Sequence, residues 1–239
     1  MAKAVQLLHA SSSWESFVQA YRGPSLLSSA VGRLPHPAAP LLANWRSEGV
    51  PVTMSGEDWS HEKIQETARR GPHKSAKDYA DFVRDEMASF AEQGFWVVLP
   101  LPEVEDRSRL RLSPLGVVPQ RDRRPRIIND LTFSGVNNET VRAGPAVSMQ
   151  FGRALLRLLY QVRHANPAFG PVYAMKVDVA DGFYRVNLNP DQALSLACLL
   201  PKAPTEPRLV AVPLALPMGW VESPPYFCAV TETIADLTN

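Results

Sequence analysis

The sequence predicts an α+β fold, and three observations predict it. Tyr79, Phe82, Val83, Met87 and Phe90 recur at spacings of three and four residues, which is one face of an amphipathic helix. Short β-prone apolar runs follow at Phe95 to Leu99, Leu115 to Pro119, Arg126 to Leu131, Leu194 to Leu200 and Leu209 to Leu216. Proline, at 22 residues, argues for many loops and short strands rather than a helical bundle. At 239 residues the chain is long enough for one large domain or two small ones with a real core. The hydrophobic fraction of 45% and charged fraction of 21% are those of a soluble globular protein. A formal net charge of +1 says nothing about partners globally. Cys198 and Cys228 have neither zinc nor disulfide spacing and are expected to be buried free thiols in a reducing compartment. No apolar run has the length of a membrane span, and the N-terminus lacks a basic region followed by an apolar one. The expectation is an intracellular protein with no membrane partner.

In chain order, residues 1–74 read as a Pro-rich, loop-rich extension and 75–239 as the main domain. Within the extension, Trp14, Phe17, Val18 and Tyr21 suggest one short helix, while Gly23-Pro24 and Leu34 to Pro40 read as loop. Trp45 and Trp59 are expected to anchor the extension by packing. Ser75-Ala76-Lys77-Asp78 is similar to a capping box with Asp in place of Glu, and Gly94 stands where the helix after it would stop. Residues 100–111 form a charged loop. Leu115 to Pro119 and Arg126 to Leu131 then pair as a hairpin with the turn Gln120-Arg121-Asp122-Arg123-Arg124. Guanidinium groups on a hairpin tip need solvent or an anionic partner. Two readings stand: a solvated turn that keeps a sheet edge soluble, and a basic loop that closes over phosphates. Ser148 to His164 is predicted to be a helix burying Phe151, Leu155, Leu158, Leu159 and Val162. The last element is a helix entered through Ser223-Pro224, where the missing proline N–H would be unpaired anyway.

The chemistry centres on Val172 to Leu188, VYAMKVDVADGFYRVNL. If Val172 to Asp178 is a strand, Tyr173, Met175 and Val177 face a core, while Ala174, Lys176 and Asp178 face the other way. A carboxylate then sits at the strand end on the less apolar face. It either terminates the strand beside an Asp-Gly turn or meets a metal or phosphate. Asp181, three residues on, leaves the face of Asp178 and reads as a turn residue.

A basic-tipped hairpin, a strand ending in Asp and a Gly turn entering a helix through Ser-Pro occur here in one order. SPLGVVPQRDRRPRIINDL, VDVADGFYRV and LPMGWVESPPYF together resemble the fingers and palm of reverse transcriptases, especially those of retrotransposons, over about residues 85 to 235. The resemblance implies a partial right-hand polymerase fold, with fingers and an incomplete ferredoxin-like palm. It implies RNA-directed DNA synthesis by two-metal nucleotidyl transfer on a template-primer of RNA or DNA with deoxynucleotide triphosphates. Asp178 matches the family's catalytic, metal-binding aspartate, and the carbonyl of Val179 would be a further ligand to Mg²⁺ or Mn²⁺. Phe183 matches the sugar-sensing aromatic, while Tyr184 is expected to pack. Arg126 and Arg121 match basic positions on the triphosphate. Gly219 would let backbone approach the nucleotide. Met218, Trp220, Ser223 and Pro224 are the template-primer contact candidates, although Met218 stands where retroviral enzymes have glutamine. The family's second catalytic motif, an aromatic residue, any residue and two aspartates, is expected shortly after the helix at Pro224. No Asp-Asp pair occurs in the sequence. Two metal ions need those partner carboxylates, so two readings follow. One is the N-terminal part of a reverse transcriptase, truncated and inactive alone. The other is a transposon-derived relic or non-catalytic module that binds nucleic acid through the hairpin.

Overall fold

The β-prone runs assemble into a single five-stranded sheet. Its strands are β1 (Trp96–Pro100), β2 (Leu112–Gln120), β3 (Arg123–Asn129), β4 (Ala197–Leu199) and β5 (Leu209–Pro213), in the order β1-β5-β4-β2-β3. The structure is a computed structural model that describes residues 1–23, 28–150, 154–173 and 178–238. β1 pairs antiparallel with β5 from Trp96↔Pro213 to Pro100↔Leu209, and β5 pairs antiparallel with β4 through Cys198↔Ala211. β4 runs parallel to β2, with Leu112 opposite Ala197 and Pro114 opposite Leu199. β2 and β3 form the expected hairpin, Leu115 opposite Asn129 and Val118 opposite Arg126. β4 and most of β5 are buried, as their continuous apolar runs require. β2 is buried from Leu112 to Val117 and then emerges into solvent.

Residues 1–74 are not loop-rich. They fold as α1 (Ala2–Ala10), α2 (Trp14–Arg22), α3 (Ser28–Val31), α4 (Ala39–Glu48) and α5 (His61–Arg70). The Pro and Gly residues that suggested loops lie between or at the ends of short helices. The Ser13 hydroxyl accepts from Ser16 N–H and that of Ser60 from Lys63 N–H, while Gly23, Gly49 and Gly71 close α2, α4 and α5. Pro40 lies in the first turn of α4, where it costs no hydrogen bond. Trp14, Phe17, Val18 and Trp45 share one core with Val97 and Leu99 of β1, Leu112 of β2 and Val210 and Val212 of β5. Trp45 packs edge-on against Tyr226 at 5.0 Å, and Trp14 Nε1 donates to Pro190 O at 3.0 Å. Both contacts join distant parts of the chain, so Trp45, as expected, and Trp14 are packing anchors.

The next predicted helix arrives in two pieces, α6 (Lys74–Asp78) and α7 (Ala80–Glu92), broken at Tyr79, whose φ and ψ are −114° and 34°. The capping box does not form, because the Ser75 hydroxyl accepts instead from Val117 N–H on β2 at 3.1 Å. α7 buries Val83 and Met87 in a second core cluster with Trp96, Leu115, Val117 and Leu200. Gly94, at φ +72°, ends that stretch as its position predicts.

The remaining helices are α8 (Val136–Glu139), α9 (Ala154–His164), α10 (Pro190–Ala193) and α11 (Ser223–Thr238). α9 forms, but not as a core helix. Leu155, Leu158, Leu159 and Val162 are 62%, 52%, 54% and 46% exposed, and Phe151 lies outside the described residues. The strand expected over Val172 to Asp178 is absent at its described ends: Val172, Tyr173 and Asp178 are irregular, and Tyr173 is 86% exposed rather than turned to a core. Ala174, Met175, Lys176 and Val177 lie outside the described residues. The apolar stripe of α9 faces solvent at Leu155, Leu158, Leu159 and Val162. The α+β class holds, with a mixed sheet in which β4 is central and the β2-β3 hairpin forms one edge.

Candidate nucleic-acid and nucleotide site

The arginines between residues 111 and 126 are of two kinds. Arg111 is fully buried, paired with Glu139 and donating to Gly56 O at 3.2 Å and Glu57 O at 2.9 Å. Burial pulls its pKa below the usual guanidinium value, with Asp58 opposing that shift. Arg111 is a structural cation. Arg121, Arg123, Arg124 and Arg126 are exposed on the hairpin. The turn itself is made by Arg121 and Asp122, the latter at φ +57°. Arg121 approaches Asp122 at 3.8 Å with its side chain 97% exposed. Arg124 is tied to Glu86 of α7, its guanidinium 5.6 Å over the Phe82 ring. Arg123 and Arg126 make no ion pair among the described residues. An exposed guanidinium without an ion pair is available to phosphate oxygens.

The foot of the same hairpin meets the Gly219 turn. Gly219 has φ +102°, and a Cβ there would lie 2.5 Å from Asn129 O at the end of β3. Asn137 of α8 clamps this seam by donating to Gly219 O at 2.9 Å and accepting from Val221 N–H at 3.0 Å. The close approach that requires glycine in this structure is to the hairpin's own backbone. Met218 beside it is 48% exposed. Trp220 and Ser223 are not surface contacts. Trp220 is buried, donates to Thr140 Oγ1 at 3.2 Å and stacks on Tyr226, and the Ser223 hydroxyl donates to Pro217 O at 2.7 Å. Both are apolar or small groups whose polar atoms find internal partners, so they serve the fold. Pro224 remains half-buried at the start of α11. Sequence reasoning missed Glu222, buried with its carboxylate accepting from Ala143 N–H at 2.8 Å and Gly144 N–H at 2.5 Å, and with Arg142 at 3.5 Å. An acid immediately before the start of α11 was the available signal.

Asp178 and Val179 lie in irregular, exposed chain ahead of the Asp181 turn. Asp181 takes φ +54° and ψ 36°, opens a 3-10 turn over Gly182–Arg185, and lies 3.9 Å from Arg185. It is a turn residue, as its spacing from Asp178 predicts. Phe183 packs against Phe227 of α11 at 5.0 Å, and a Cβ on Gly182 would come within 2.7 Å of that ring. Phe183 and Pro224 line one cavity of about 390 Å³ with Gln150, Phe227, Cys228 and Thr231. Tyr184 stacks on Phe95 at 5.0 Å, and burial pushes its pKa up to about 12. Cys198 is buried, whereas Cys228 is only half-buried, against expectation; burial raises the pKa of both thiols.

Two of the three motif pairs are thus in contact, hairpin with Gly turn and Phe183 turn with α11. Asp178 joins neither. Among the described residues no three His, Cys, Asp or Glu side chains gather as a metal site. One exposed carboxylate and one peptide carbonyl do not suffice for two Mg²⁺ ions, each of which demands near-octahedral oxygen coordination. Among the described residues, Asp178 and the Val179 carbonyl do not by themselves make up the two-ion group, which the resemblance places only in a longer form. No helix among the described residues is long and apolar enough to cross a membrane. No protein-family model matches this chain, and no curated protein gives a significant match.

Proposed function

We propose that this chain is the fingers region and first palm motif of an RNA-directed DNA polymerase of the retrotransposon type. Nucleotidyl transfer would belong to a form of the protein that also carries the second carboxylate motif. The observation that carries this reading is the seam between Asn129 and Gly219. Segments far apart in sequence, resembling the fingers hairpin and the Gly-turn motif of the polymerase, meet there in a contact that only glycine permits. Beyond the seam, the exposed hairpin presents Arg121 and Arg126 to phosphates, and the Phe183 turn lies against the helix that follows the Gly turn. Among the described residues no carboxylate cluster gathers at Asp178, so the protein is expected to bind template-primer without extending it. The absence of an Asp-Asp pair also favours the second reading, a non-catalytic nucleic-acid-binding module.

Binding to a primed RNA template across a salt series tests both readings. Affinity should fall as salt rises, with a shallower slope after Arg121→Ala with Arg126→Ala. Affinity and slope unchanged in the double variant would remove the hairpin from the interface. Measurable primer extension by this chain with Mg²⁺ and deoxynucleotides would overturn the assignment of Asp178 as half of a site. An aromatic-x-Asp-Asp codon run soon after codon 239 in the genomic DNA separates the polymerase from the relic.

A further inference from the structure

The hairpin is not the only cationic surface at this end of the molecule. The turn between α5 and α6 docks on the hairpin's foot: His73 N–H donates to Leu115 O at 3.0 Å, and the His73 ring lies 3.0 Å from Asp130 just past β3. Arg69 and Arg70 close α5, and Lys74 and Lys77 lie on α6, so four cations flank this docking point. All four are exposed and none makes an ion pair among the described residues. Lys74 and Lys77 are three residues apart on one helix, about 5–6 Å between Cβ atoms, a spacing that neighbouring phosphates of a flexible strand can meet.

An aromatic ring sits among these charges. Phe133, in the turn after β3, is 51% exposed, with the Arg70 guanidinium 3.7 Å over its ring and the His73 ring edge-on at 5.4 Å. A phenylalanine half in water gains little from burial, and the fold does not need it for the core: it belongs to neither hydrophobic cluster. A guanidinium plane on a half-open aromatic ring, bordered by unpaired cations, is the combination on which unpaired bases stack while their phosphates are neutralised.

We infer that Arg69, Arg70, Lys74, Lys77 and Phe133 form a track for single-stranded nucleic acid, leading along the foot of the hairpin. This rests on the nucleic-acid reading above and adds to it a second contact surface, outside the resembling motifs, and a preference for unpaired strands. A duplex keeps its bases stacked on each other and offers no open face to Phe133.

The test is fluorescence anisotropy with a labelled single-stranded RNA of about 16 nucleotides, within the range of such sites, and with the same sequence as a duplex. The full chain should bind the single strand more tightly than the duplex. Phe133→Leu should weaken single-strand binding about fivefold or more and erase the preference, whereas Phe133→Tyr should keep both. Lys74→Ala with Lys77→Ala should lower the salt slope by about 1.4, or 0.7 for each lost phosphate contact. Thermal melting of each variant controls for folding, since all these side chains are at least half-exposed or lie on the surface. Binding lost in the Arg121→Ala, Arg126→Ala variant but untouched by Phe133→Leu and by the lysine pair would overturn the track and leave the hairpin reading standing. No binding of RNA by the native chain at low salt would overturn both.

Discussion

The hairpin with its seam and the arm carrying Asp178 were equally prominent as motifs, yet they fold to different degrees. β2 and β3 pair residue by residue, are held from one side by α6 and α7, and meet the Gly219 turn through Asn137 and the Asn129 carbonyl. From Leu155 to Tyr173 the chain is exposed throughout, and α9 approaches α11 through Arg157, 3.4 Å from Glu232. The difference lies in the supply of partners. A hairpin satisfies its own ladder and needs only one buried face, whereas an amphipathic helix and an apolar strand each need a second surface.

Substitutions that separate these regions should differ sharply. Trp220→Ala removes a buried indole, its bond to Thr140 and its stack on Tyr226, and should cost about 3–5 kcal/mol in urea unfolding. A loss under about 1 kcal/mol would show that the seam is not part of the cooperative core. Gly219→Ala places a Cβ against the Asn129 carbonyl at a positive φ and should cost about 2–3 kcal/mol, read as a lowered melting temperature. An unchanged melting temperature would mean that the turn and the hairpin foot do not meet.

Alkaline unfolding gives a more conditional effect. Burial raises the Tyr184 and Tyr226 phenols from 10.0 to about 12, Glu222 adding to the shift at Tyr226. In the unfolded chain both phenols ionise near pH 10, so stability from keeping them neutral is complete below pH 10 and is lost as pH rises to about 12. Tyr184→Phe should flatten stability against pH in that window, and an unaltered profile would place the phenol in water. On the arm the expected effects are smallest. Leu158→Gln and Asp178→Asn should each change unfolding free energy by less than about 0.5 kcal/mol. A larger loss for Leu158→Gln would reveal a partner surface for α9.

Much of the local structure was legible because local causes set it. The β-prone apolar runs gave β1, β2, β3 and β5 with ends off by up to three residues, whereas the run from Leu194 opens with a helical turn and is strand only over Ala197–Leu199. The Trp14 to Tyr21 spacing gave α2, and Ser-Pro gave the start of α11. Residues 1–74 were misread because Pro and Gly mark the ends of short helices as well as loops. The site was legible only by residue type. Arg111 and Arg121 are chemically identical, and nothing in their spacing says that one is buried against Glu139 while the other is in solvent.

The class of the fold and the hairpin with its basic tip follow from the sequence alone, because each depends on neighbouring residues, while the glycine at 219 was singled out through the resemblance. Only the tertiary structure decided what fills the space glycine leaves, which arginines remain unpaired, that Trp220 and Ser223 belong to the core, and that Phe133 stands under Arg70. Those depend on contacts between residues far apart in the chain, which no local pattern encodes. Asp178 shows the same division: its motif is visible in the sequence, but a metal site is a meeting of carboxylates, and that meeting is made by packing.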